Sequence, residues 1–461
     1  MKHKNLIFSN TILAYVVLVL FGFSFISFIM DDNLAIFAMT VIFTFLGVGI
    51  SYIVNIGADK KNSIYIFLLF FAIYIGYNLI ISLCLINFYG VENIKADELW
   101  FFRTSNAVYL LIKDGYSFSD IANIGEYGDT YGVAYWYGVI TYIANLYGEN
   151  SVLVQKFGVS FVAALIPMAM YGISRLYFSS KVSFQITLLY GFFSFIPYFA
   201  STLLRDTHIA LMFILSMYLI LKKVSLLNIL LLSIFIFFSY TLREQTGVFM
   251  LGFVSIYFFV MIENTINSRA IKFSVYIMLL LILIAIVFSL DFLFDMLNQT
   301  SSSSAQRSQA GASAGSMGAK IAKLPFGLNI LALFGFGQIQ PFPPSFIFKG
   351  GHKGLLELTY LMAGILWIYG WVFLLYGIFK VKILKTLDLK LLLLFVFSML
   401  YITLISVIDF SQRKQMAVYP IVFLLMVMSY LKIETSKRTI IWVGVTLFYI
   451  TLVLTINYIK L

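Results

Sequence analysis

Four short clusters of ionisable residues carry the chemistry this sequence can offer: Asp97, Glu98 and Arg103; Arg205, Asp206 and His208; Arg243 and Glu244; Asp409, Arg413 and Lys414. Guanidinium forks bind phosphate oxygens in pairs, and a carboxylate takes a proton or holds a divalent cation. Several arginines beside paired carboxylates therefore suit an anionic, phosphate-bearing substrate. Asp97 and Glu98 are the candidate catalytic residues. Arg103, Arg205, Asp206, His208, Arg243, Glu244, Arg413 and Lys414 are the candidate binding residues, joined by Trp136 from an aromatic stretch.

Each cluster also has a plainer explanation. Asp97-Glu98 fits a solvated, acidic first helical turn. Arg205-Asp206-Thr207 fits a helix N-cap, with Asp206 capping and Arg205 reaching toward headgroups. Arg243-Glu244 fits a structural ion pair, His208 a satisfied interior histidine, and Arg413-Lys414 interfacial anchors. Their gathering on one side of a membrane is what favours chemistry, because ionisable groups at a membrane edge are costly unless paired or hydrated.

The elements that must position these residues are apolar runs. Of 461 residues, 61% are hydrophobic and 11% charged, and the mean hydropathy is +0.97. Those values exclude a soluble globular domain and specify a polytopic membrane protein. About 20 apolar residues cross a bilayer as a helix. Runs of that kind lie at Leu6–Met30, Leu34–Ile56, Ile64–Tyr89, Val152–Phe178, Val182–Ser201, Thr207–Leu221, Val224–Tyr240 and Thr246–Ile262. Others lie at Ile271–Phe294, Leu355–Phe379, Leu389–Ile408, Met416–Leu431 and Thr439–Tyr458. The expectation is an all-α single transmembrane domain over 1–461 with about thirteen transmembrane helices.

The gaps between these runs alternate in charge. One set, including Lys60, Lys61, Arg175, Lys222, Lys390 and Arg438, holds seventeen basic residues against four acidic ones; the other holds fourteen against sixteen. The positive-inside rule puts the first set and the N-terminus in the cytoplasm, and the four clusters outside. Tyr131–Tyr147 is also apolar, but counting it as a span would invert every later loop. It is expected to lie flat on the outer surface as an interfacial helix, which its Tyr and Trp content suits. Two outer segments exceed simple turns: 91–151, carrying that helix, and 295–354, with a Ser/Gly/Ala tract and an interrupted apolar stretch at Leu324–Phe348 expected to lie on the surface or re-enter.

Other classes fall away. The net charge of +11 is spread over many short turns and forms no stripe, so nucleic acid is not the expected partner. Cys84 is the only cysteine, leaving neither an intrachain disulfide nor a thiolate metal site. No nucleotide-binding or zinc signature is present, so an already activated donor is expected. No cofactor is required, and a divalent metal is compatible with the carboxylates.

The segment Ala96-Asp97-Glu98-Leu99-Trp100-Phe101, the helix Ala107–Gly115, Gly148-Glu149-Asn150, the span ending Tyr171-Gly172-Ile173-Ser174-Arg175, and Pro197 with Ser201-Thr202-Leu203-Leu204-Arg205-Asp206 together resemble the front of GT-C type membrane glycosyltransferases, including protein mannosyltransferase relatives. The likeness covers Lys95–Lys222. It implies a polyprenyl-linked sugar donor and an acidic base or metal-site residue at Asp97 or Glu98. Phe101 and Phe102 stand near the position where that family carries a Tyr, and two extra spans come first. The extra spans, the second large outer loop and the outer arginines resemble O-antigen and capsule repeat-unit polymerases (Wzy-type) of the bacterial inner membrane, with an undecaprenyl diphosphate-linked substrate and a periplasmic active site. Both resemblances imply glycosyl transfer from a lipid-linked donor in polysaccharide biosynthesis, with a chain-length regulator or flippase as a partner. A flippase of the same lipid-linked glycan is the competing class, which mid-span charges and repeated halves would favour; the charges here collect at run ends and the halves differ.

Overall fold

The computed structural model describes residues 10–54, 59–89, 96–124, 130–222, 225–265, 268, 324–325, 327–339, 353–408 and 412–460. Every regular element among them is helical. The helices are α1 (Asn10–Asp31), α2 (Leu34–Val54), α3 (Lys60–Tyr89), α4 (Ala96–Lys113), α5 (Phe118–Ala122), α6 (Tyr131–Tyr147), α7 (Val152–Arg175), α8 (Ser180–Phe193) and α9 (Ile196–Ala200). They continue with α10 (Asp206–Leu221), α11 (Leu226–Leu242), α12 (Glu244–Thr265), α13 (Leu328–Ile339), α14 (Lys353–Tyr376), α15 (Leu389–Ile408), α16 (Gln412–Gln415), α17 (Tyr419–Lys432) and α18 (Thr435–Lys460).

Eight described helices, α1, α2, α3, α7, α12, α14, α15 and α18, are long and apolar enough to cross a membrane, and α10, α11, α13 and α17 are shorter apolar helices. The chain is a multi-pass membrane protein. Its outer helices keep Leu226, Phe45, Ile53 and Tyr458 largely exposed, a surface that water would penalise and lipid does not. The run Ile271–Phe294 lies outside the described residues.

Helix α7 is the centre of the bundle. It is apolar on all faces, as a helix surrounded by protein must be, and every residue from Val152 to Ser174 is buried. Ser151 caps it, accepting from the Val154 amide, which satisfies one of the donors a helix start leaves open. Around it pack α2, α3, α8 and α10.

One expected run is not one helix. Val182–Ser201 is split into α8 and α9 at Ser194, whose hydroxyl accepts from the Ile196 amide. Pro197 lacks an amide proton and collides with a preceding helical turn, so it starts a helix well and continues one badly. Hydropathy alone does not register that break.

Contacts between turns define two ends of the bundle. At one end, Arg175 meets Asp59, Lys222 donates to the Val54 carbonyl, Lys390 to the Lys222 carbonyl and Lys432 to Thr386. This end gathers the described part of the strongly basic set. At the opposite end lie the α1–α2 turn and the starts of α7, α10 and α12. Helix α6 runs along that second end. Its Gly148 sits against the α1–α2 turn, where a Cβ would come within 2.4 Å of Asn33 Oδ1, and its Gly132 abuts the end of α11, where a Cβ would come within 2.2 Å of Thr241 Oγ1. Seventeen residues at about 1.5 Å each separate those contacts by roughly 25 Å.

Candidate functional site

At the second end, five separate stretches of chain converge on one cavity of about 230 Å³. Helix α4 contributes Asp97, Trp100 and Phe101; the approach to α10 contributes Leu204, Arg205 and Asp206; the α11–α12 junction contributes Arg243; and α16 contributes Arg413, with Thr130 closing one side. Three arginines against two aspartates leave the lining with one excess positive charge.

Asp206 is the hub. It is 3% exposed, with Oδ1 3.6 Å from Arg243 Nη2 and Oδ2 3.6 Å from Arg413 Nε. Arg413 Nη1 also reaches Asp97 Oδ2 at 3.3 Å. At 3.6 Å the Asp206 contacts are ion pairs and not hydrogen bonds, and Oδ1 has no hydrogen-bond partner among the described residues. A buried carboxylate normally saturates its lone pairs; one that does not, beside a cavity lined with cations, is electrostatically held and chemically open. Asp97 is the exposed member, its side chain 67% accessible at the mouth.

Glu98 does not share this position. Successive helical residues are about 100° apart, so Glu98 turns inward while Asp97 faces the cavity. Its Oε2 accepts from the Leu203 amide at 3.1 Å and lies 4.0 Å from Lys156 Nζ, both side chains buried. Tyr137 donates to the next carbonyl, Leu204, at 3.1 Å. Burial, and then the nearby Glu98 and Asp206 carboxylates, push the Tyr137 phenol well above its ordinary value, so it stays a donor. Glu98 and Tyr137 thus pin the turn that delivers Arg205 and Asp206, and Arg205 Nη1 is itself held by the Leu242 carbonyl at 3.0 Å.

Asp206 does not cap α10, whose start carries no side-chain cap; its carboxylate is drawn to the two arginines instead. Arg243 likewise pairs with Asp206 and not with Glu244, which is exposed and accepts from Tyr240 at 3.4 Å. Arg103 is exposed on α4 away from the cavity, and Lys414 is half-buried without lining it. Asp409 lies outside the described residues.

His208 and Trp136 line a different space, an apolar chamber of about 590 Å³ walled also by Phe161, Leu165, Met212 and Phe238. His208 is buried and meets Trp136 and Tyr137 edge-on, with ring centroids 6.0 and 5.7 Å apart. The chamber borders the charged cavity at three places in the chain: Gly132 follows Thr130, His208 follows Asp206, and Leu242 precedes Arg243.

Trp100 and Lys156 are the participants that residue clustering alone passes over. A lysine inside the apolar run Val152–Phe178 is the signal that marks Lys156, since a charge in such a run needs a partner. Among the described residues, no group of three His, Cys, Asp or Glu side chains is placed to hold a metal ion. No protein-family model, curated protein or solved structure matches this chain.

Proposed function

We propose that this chain is a membrane glycosyltransferase acting on polyprenyl-(di)phosphate-linked glycans in cell-surface polysaccharide synthesis, with repeat-unit polymerisation as its reaction. In this reading the fold is GT-C-like with about thirteen spans, the basic end lies in the cytoplasm of a bacterial inner membrane, and the cavity faces the periplasm.

The observation that carries the reading is the convergence of Arg205, Arg243 and Arg413 with Asp97 and Asp206 on one cavity at the end away from the basic turns. A lipid-linked donor presents its phosphate at this depth. The acceptor hydroxyl oxygen attacks the anomeric carbon, the bond from that carbon to the phosphate oxygen breaks, and the lipid phosphate leaves with the bonding electrons. The arginines stabilise the charge that develops on the leaving oxygen. The hydroxyl proton passes to Asp97, the exposed carboxylate; Glu98, tied to the Leu203 amide, positions the site. The apolar chamber beside Arg243 offers the lipid's hydrocarbon a place next to its head. A divalent cation, if the reaction uses one, would compete with Arg413 for Asp97 and Asp206.

The test is the lipid-linked glycan profile of cells lacking the protein, resolved by length. A single complete repeat unit on its carrier with no ladder above it is the expected result. A unit one sugar short would replace polymerase with monosaccharide transferase, and complete units held on the cytoplasmic face would replace both with a flippase.

A further inference from the structure

Arg413 is carried by α16, which is only four residues long. One turn fixes several dihedrals for one hydrogen bond and does not hold itself, so something else must fix this guanidinium over Asp97 and Asp206. On the side of α16 away from the cavity, Gln412 and Gln415 are fully buried. Gln412 Nε2 donates to the Gly337 carbonyl at 3.1 Å. Gln415 Oε1 accepts from Gln338 Nε2 at 2.6 Å and from the Tyr419 hydroxyl at 3.1 Å, while its Nε2 donates to Ser406 Oγ at 3.1 Å. Gln338 Oε1 in turn accepts from the indoles of Trp367 and Trp371 at 3.0 and 3.3 Å. Trp367 stacks on Tyr419 with centroids 4.0 Å apart.

The pattern admits one arrangement. The amide oxygens of Gln338 and Gln415 each use both acceptor sites, and flipping Gln338 would turn its NH₂ onto two indole donors. The network draws α13, α14, α15 and α17 onto α16. Leucines would fill the same space without any polar burial, so what the glutamines add is geometric definition.

We infer that Gln338 and Gln415 are positioning residues for Arg413: the buried amide network fixes α16 so that the guanidinium spans Asp97 and Asp206 and meets the phosphate. That last clause rests on the proposed function; the placement of α16 does not. A displacement of about 1 Å at such a group costs roughly 10²-fold in rate.

Two measurements on the full chain in detergent test it. In the first, Asp97→Cys and Arg413→Cys are introduced with Cys84→Ser and joined by a short bismaleimide. Gln415→Leu and Gln338→Leu are expected to lower the cross-linking rate at least fivefold. Trp367→Phe, which keeps the stack on Tyr419 and removes one donor, is the gentler variant should the others not fold, and is expected to lower it about twofold. Unchanged cross-linking in the folded variants overturns the inference. In the second, inorganic pyrophosphate is titrated against a double-mutant cycle. Gln415→Leu is expected to weaken binding about tenfold in the parent and not at all beside Arg413→Ala; the same factor in both backgrounds means a merely structural role and overturns the inference. If the parent chain binds no pyrophosphate, the phosphate reading of the cavity fails while cross-linking still decides the positioning claim.

Discussion

Two carboxylate–guanidinium clusters sit at opposite ends of this bundle and are built differently. At the basic end, Asp59 and Arg175 pair at 3.0 Å, with side chains about a quarter exposed. Tyr171 donates to the other Asp59 oxygen at 3.2 Å, Arg175 Nη1 donates to the Phe178 carbonyl at 2.6 Å, and Asn62 and Ser180 complete the ring around Tyr171. At the other end, Asp206 is more deeply buried, yet its arginines stand off at 3.6 Å and one oxygen lacks a hydrogen bond among the described residues. The first cluster is closed and hydrogen-bonded, which is how a fold fastens two turns. The second buries charges and leaves their geometry loose around a cavity.

The two ends differ most in stability at Arg243. Arg243→Ala leaves Asp206 buried beside Arg413 alone, whose side chain is about one-third exposed, and breaking a buried pair in this way costs about 3–5 kcal/mol. Thermal melting in detergent should fall markedly, and glycan elongation should cease. A variant that melts like the parent would place Asp206 in contact with water or another cation. Arg413 should separate stability from chemistry. Its side chain is 32% exposed, so Arg413→Ala is expected to destabilise less than Arg243→Ala, because water reaches the space it leaves, and to lower elongation by roughly 10²–10³-fold. Equal losses in both would make it a structural residue. At the closed end the pattern reverses, with stability changing and activity not: Arg175→Ala should cost about 1 kcal/mol after allowing for solvent screening and leave the polymer ladder intact. Loss of the ladder there would erase the distinction between the two ends.

Much of the frame could be read from the amino acids because membrane chemistry writes it in one dimension. A bilayer demands long apolar stretches, and the positions of Lys60, Lys222, Lys390 and Lys432 between them fall together at one end of the structure. Tyr131–Tyr147 forms a helix with those limits. The site was legible as far as helix ends go: Asp97, Arg205, Asp206, Arg243 and Arg413 share a cavity, because each lies at or beside a helix terminus on the same end of the bundle. Which way a side chain turns within that end is a matter of helical phase. Asp97 and Glu98 are neighbours in the chain and point to different compartments, and His208 follows Asp206 by two residues into the apolar chamber instead of the charged cavity. The glutamines that hold α16 are less visible still, since Gln338 and Gln415 are far apart in the chain and their meaning is in one another's amides.

The most direct test of the central claim is reconstitution. The purified full chain would be placed in lipid nanodiscs with the lipid-linked repeat unit extracted from cells that lack the protein, and the products resolved by length. The parent chain is predicted to build a ladder of two or more units, and Asp97→Asn, with unchanged melting, to leave the single unit untouched. A parent chain that builds nothing, or an Asp97→Asn ladder equal to the parent's, would contradict the account.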